Sequence, residues 1–89
     1  MHLFYDSIDH DSAQRIEQLT RLIYELRENR KALLARHQVE DEAELLAAIR
    51  AGRLAEHPAY DDYLGLHAVR DLRENLRAEL AESLKEANR

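Results

Sequence analysis

The chain has 89 residues, of which 45% are apolar, 35% charged and 6% aromatic, and its net charge is −5. This size indicates one small domain, and the scarcity of glycine and proline together with many leucines favours long helices over a sheet. Because there is no cysteine, a disulfide, a thiolate nucleophile and a cysteine-based zinc site are all excluded.

The first ten residues predict an arm rather than a helix. They contain four large apolar side chains, Leu3, Phe4, Tyr5 and Ile8, which is more than a solvated tail needs. We expect residues 1–10 to pack on a helix of this chain or of another subunit. A frayed terminus is the alternative interpretation.

Residues 11–37 predict the first long helix. Asp11 is an N-cap candidate because Gln14 stands three positions later, as in a capping box. The apolar residues then fall at the a and d positions of a heptad repeat. These residues are Ile16, Leu19, Ile23, Leu26 and Leu33. The next a positions, Arg30 and His37, are polar.

A short helix over residues 41–51 is predicted to connect the two long ones. Asp41 and Glu44 form a second capping-box candidate, and Gly52 is a candidate for the left-handed residue that ends a helix. Val39 and Leu54 stand at the two ends of this connector. We expect both side chains to anchor it to the long helices.

Residues 58–87 predict the second long helix, which opens at Pro58 because proline is favoured in the first helical turn. Its apolar residues recur mostly every four positions. They include Tyr63, Leu66, Val69, Leu72, Leu76 and Leu80. Gly65 lies within this helix and indicates a close helix crossing, a small kink or a tolerated glycine.

The two long segments predict an all-α fold, a long αα-hairpin with a short connecting helix. Charge supports their pairing, because residues 12–37 carry six basic and three acidic side chains whereas the remainder is acidic. Two helices cover only one stripe of each other, so a single hairpin is expected to leave Leu22, Leu34, Leu64 and Leu66 exposed. We therefore expect dimerisation into a four-helix bundle.

The candidate interface and core follow from the two apolar seams. They comprise Ile16, Leu19, Ile23, Leu26, Leu33, Val69, Leu72, Leu76 and Leu80. Tyr60, Tyr63 and His67 form a second candidate contact surface at the opening of the last helix. We expect His37 and His67 to be hydrogen-bonded structural histidines.

No motif indicates catalysis, since the sequence has no glycine-rich phosphate loop and no nucleophile with a matching base. We expect no enzyme activity, no cofactor and no small-molecule substrate. Nucleic acid is not an expected partner because the basic residues are spread around their helix and the protein is acidic. A metal-binding bundle, suggested by the histidine and aspartate content, lacks the Glu-x-x-His motif of di-metal bundles.

Localisation is expected to be cytoplasmic. No apolar run approaches the ~20 residues that span a bilayer, so we expect no membrane partner. The first residues also lack the basic and apolar regions of a signal peptide.

One phrase of the sequence resembles a known group of proteins. Leu45, Leu46, Ile49 and Gly52 precede the sequence Glu-His-Pro-Ala-Tyr-Asp-Asp-Tyr of residues 56–63. Residues 39–64 thereby resemble small, mostly uncharacterised prokaryotic helical proteins, some of which are thought to act as antitoxins. The resemblance implies an antitoxin-like or adaptor role toward a different polypeptide. The seams alone predict a non-enzymatic module that associates with itself.

Overall fold

The computed structural model describes residues 10–88, which form three α-helices and no strand. Helix α1 spans His10–Arg36, helix α2 spans Glu42–Arg50 and helix α3 spans Glu56–Ala87. The prediction of an all-α chain with three helices is confirmed. The predicted N-terminal arm lies almost wholly outside the described residues. Since α1 already includes His10, Asp11 lies in its first turn and not at the predicted N-cap.

The two long helices run antiparallel and contact each other along their length. Two ion pairs define their register. Arg15, near the start of α1, binds Glu79 in the second half of α3, and Arg36 at the end of α1 lies 3.1 Å from Asp62 near the start of α3. The basic first helix therefore faces acidic side chains of the last one.

Local signals set the ends of the helices. Asp41 caps α2 by accepting a hydrogen bond of 2.8 Å from the Glu44 backbone amide, as predicted. Gly52 has φ +78°, the left-handed conformation expected after α2. His57 keeps an extended backbone (φ −103°, ψ 126°), as the residue before a proline should, so the regular part of α3 starts at Pro58.

Helices α1 and α2 end in the same way, in Schellman motifs. After α1, the Val39 amide donates to the Leu34 carbonyl at 3.1 Å and the Gln38 amide to the Ala35 carbonyl at 3.0 Å. After α2, the Arg53 amide donates to the Ala48 carbonyl at 2.9 Å. The left-handed residue is Gly52 in one motif and Gln38, with φ 57°, in the other.

The main core lies at the connector end of the hairpin, where α2 packs mainly on α3 and Leu34 of α1 completes the cluster. Leu34, Leu45, Ala59 and Leu66 are buried there. The predicted anchors Val39 and Leu54 pack against this cluster, together with Leu33, Ile49 and Tyr63. The expectation that Leu34 and Leu66 stay exposed in one chain is wrong, because it took no account of α2 as a cover.

Candidate interaction surface

The core becomes thin away from the connector. Among the described residues, only Ile16 and Leu19 are buried outside the connector cluster and its neighbour Ala48. No side chain of α1 between Leu19 and Leu34 is buried, and none of α3 beyond Leu66 is. Half of the hairpin length therefore relies on partly buried contacts between two helices.

Two leucines stand exposed in this poorly covered region. Leu22 of α1 is 44% exposed and Leu72 of α3 is 47% exposed. The register given by Arg15–Glu79 and Arg36–Asp62 places them at nearly the same level, close to the middle of the hairpin. Each lies near the midpoint of its own helix.

Both leucines point to the side of the hairpin that α2 does not cover. At about 100° per residue, Leu22 lies about 120° around α1 from Leu34. Leu72 lies about 120° around α3 from Leu66. Because the two helices are antiparallel, the turn from Leu34 to Leu22 and the turn from Leu66 to Leu72 lead to the same side of the hairpin. We call the surface around Leu22 and Leu72 the open face.

The other residues of the predicted seams have different environments. Ile16 and Leu19 are buried between the long helices. Half-buried positions form the rest of the seam. They are Ile23, Leu26, Leu33, Val69, Leu76 and Leu80. Of these, Leu26 lies about 40° around α1 from Leu22, and Leu76 lies about 40° around α3 from Leu72, so both border the open face. Leu72 is the exposed member of the predicted set.

A second surface lies at the connector end, between α2 and α3. A cleft of about 560 Å³ is lined by Leu46, Ile49, Arg50, Glu56, Tyr60 and Tyr63. The rings of Tyr60 and Tyr63 stack with centroids 6.0 Å apart, and the rings of Tyr63 and His67 are nearly perpendicular with centroids 4.6 Å apart. Tyr60 is exposed, whereas Tyr63 also packs on the core. The structure thus brings the three residues predicted as a contact surface into one row.

The two structural histidines differ. His37 Nε2 lies 2.7 Å from Asp62 Oδ2, so the expected hydrogen-bonded histidine is present at the end of α1. His67 Nε2 is buried and has no hydrogen-bond partner among residues 10–88, contrary to expectation. In the same part of the chain, no three histidine, aspartate or glutamate side chains are arranged to hold a metal ion.

Several polar contacts were not predicted from the sequence. Arg30 donates to Glu42 through Nε at 2.9 Å and through a terminal nitrogen at 2.8 Å, which ties α1 to the first turn of α2. This bidentate contact lowers the pKa of Glu42 to about 2. The sequence did carry a signal for these contacts, because Arg30 and His37 occupy heptad a positions. A polar side chain that faces a neighbouring helix requires a partner.

The contacts made by Asp62 explain why its pKa is lower than usual. The hydrogen bond from His37 is the main cause that lowers the pKa of Asp62, and the nearby Arg36 charge acts in the same direction. Together with Arg30 and Glu42, this cluster joins all three helices at the connector end. The open face has no comparable polar network among the interactions of the described residues.

The family model of the uncharacterized protein MJ0235 family matches residues 12–88, nearly the whole chain. The chain belongs to this family. The match to the MJ0235 family covers far more than residues 39–64, the segment whose sequence resembles uncharacterised helical proteins. It says nothing about an antitoxin role, which stays a prediction. No curated protein and no solved structure shows significant similarity to this chain.

The lengths and compositions of the helices also decide whether any of them could span a membrane. Within residues 10–88, no helix is both long enough and apolar enough to cross a membrane.

Proposed function

We propose that this MJ0235 family member is a non-enzymatic interaction module that associates with a second copy of itself through the open face, giving a four-helix bundle. The observation that carries the proposal is the pair of exposed leucines, Leu22 and Leu72, aligned beside the stretch of hairpin that lacks buried side chains.

The energetic argument starts from the thin core. A helix pair that buries few side chains gains little from the hydrophobic effect, which contributes about 25 cal/mol per Å² of apolar surface. Small domains with this deficit are commonly completed by association. The half-buried leucines beside Leu22 and Leu72 would become fully covered if a second hairpin packed on the same side.

The central position of the leucines favours a second copy as the occupant. A two-fold interface uses one patch on both subunits, so a patch at the middle of the hairpin can meet its own copy along the full helix length. Two hairpins can pack parallel or antiparallel to each other. With an apolar patch near one end, the antiparallel arrangement would let the two copies overlap only at that end.

Solution mass tests the proposal. We expect untagged protein to show about twice the 10.4 kDa chain mass in size-exclusion chromatography with light scattering. Leu72→Glu should give a helical monomer, because the substitution places a charge in the proposed interface without touching the core of one chain.

The matched control is Leu64→Glu. Leu64 lies on the same helix and is 49% exposed, but it points about 80° away from Leu72 around α3. This variant should keep the dimer mass. Equal behaviour of the two variants would show that the open face is misassigned, and a monomeric wild type would overturn self-association in favour of a different polypeptide, as an antitoxin-like role requires.

A further inference from the structure

The cleft between α2 and α3 has two walls of different chemistry. Leu46 and Ile49 form an aliphatic wall on α2, and Tyr60 and Tyr63 form an aromatic wall on α3. The cleft has a volume of about 560 Å³, and Tyr60 is 43% exposed. Both walls are mainly apolar, which is the character of a surface that gains free energy when a partner covers it.

One charged side chain stands on each wall, at the same end of the cleft. Arg50 is the last residue of α2 and Glu56 is the first residue of α3, so both lie beside the turn that joins these helices. Both residues line the cleft and both are exposed. Neither takes part in an ion pair among residues 10–88. A basic and an acidic group are therefore available on opposite walls.

This surface is complementary to itself under a two-fold rotation about the length of the cleft. Such a rotation keeps each level along the cleft and exchanges the two walls, so α2 of one copy faces α3 of the other. Arg50 then meets Glu56 of the second copy, and the reverse pair forms as well. The aliphatic wall likewise meets the aromatic wall twice. Opposite charges placed in this way fix the register of an interface.

We infer that the cleft is a second self-association surface, in which two copies of the chain pack cleft to cleft with reciprocal Arg50–Glu56 ion pairs. This contact goes beyond the proposed dimer and does not require it, because the open face lies on the side of the hairpin that α2 does not cover. The contact is weak, since six lining residues are few beside the roughly 20–30 that each partner contributes to a standard interface. It therefore forms only at high protein concentration.

Sedimentation equilibrium of the wild-type chain at increasing concentration, up to about 1 mM, tests the inference. We expect the mass to double relative to its value at low concentration, whether the species at low concentration is the proposed dimer or a monomer. Failure of the open-face proposal would appear in the mass at low concentration. A mass that does not rise on concentration would overturn the present inference and leave the cleft to a different polypeptide.

Charge reversal tests whether the contact is the reciprocal one. Arg50→Glu and Glu56→Arg should each lose the mass increase, because each variant places like charges opposite one another in both pairs. An equimolar mixture of the two variants should regain the increase, since a copy with two acidic side chains then meets a copy with two basic ones.

The matched control is Arg53→Glu. It changes the net charge by the same amount as Arg50→Glu at an exposed position that does not line this cleft, so it should keep the mass increase. Circular dichroism checks that all three variants retain the helix content of wild type. An equal loss in Arg53→Glu and Arg50→Glu, or a mixture that stays at its low-concentration mass, would overturn the inference.

Discussion

His37 and Asp62 join the end of α1 to the beginning of α3 through a hydrogen bond of 2.7 Å between Nε2 and Oδ2. Both side chains are largely buried, and Arg36 adds a second contact of 3.1 Å to the same oxygen. These two residues are 25 positions apart in the chain, so their contact closes the loop that contains α2.

Removing the Asp62 charge should destabilise the connector end. Asp62→Asn is expected to lower the free energy of unfolding at pH 7 by about 1.5–3 kcal/mol, the usual range for a hydrogen bond to a charged group. Because the pKa of Asp62 is lowered in the folded state, its contribution is complete above its unfolded pKa and is lost as pH falls through the folded value. Urea denaturation at pH 7 and at acid pH measures both effects.

Asp61→Asn is the control for this prediction. Asp61 pairs with His57 at 3.1 Å, but both side chains are exposed. Such a pair contributes about 0–1 kcal/mol. A loss from Asp61→Asn as large as that from Asp62→Asn would contradict the importance assigned to the His37–Asp62 contact.

The Arg30–Glu42 pair should also make stability depend on pH. The pKa of Glu42 falls from 4.5 to about 2 on folding, so its contribution is present above pH 4.5 and is lost as pH falls through about 2. Glu42→Gln should cost about 1.5–3 kcal/mol at pH 7 and converge with wild type near the acid limit. Glu28→Gln, which removes an exposed partner of Lys31, should change little at either pH.

The two left-handed residues should respond to substitution with opposite signs. Gly52→Ala places a side chain at φ +78° and should destabilise by about 1 kcal/mol through backbone strain, since its Cβ would meet nothing within 4 Å. Gln38→Gly relieves the same strain at φ 57° and should be neutral or stabilising by up to about 1 kcal/mol. Thermal denaturation of both variants tests this, and two losses of similar size would contradict the assignment of these effects to backbone strain at positive φ.

Gly65→Ala should stabilise the protein. A Cβ at this position meets nothing within 4 Å, so the close helix crossing that the sequence suggested is not present among residues 10–88. Alanine is favoured over glycine inside a helix by about 1 kcal/mol, which should raise the thermal midpoint. A lowered midpoint with reduced dimer mass would instead indicate that a second copy approaches the backbone here.

The sequence by itself determined the features that depend on neighbours within a few residues. The Asp41 cap, the left-handed Gly52 and the start of regular helix at Pro58 involve backbone groups one turn away, so their residue types suffice to predict them. Apolar spacing likewise indicated two long helices and a short one between them.

The tertiary structure decided which side chains of these helices are covered and which polar groups meet. Leu34 and Leu66 are buried only because the connector turns α2 back over one side of the hairpin, which leaves Leu22 and Leu72 exposed on the other. Arg30 meets Glu42 for the same reason, because Glu42 stands in the first turn of α2. Such contacts depend on the path of the chain between helices, and helical periodicity carries no information about that path.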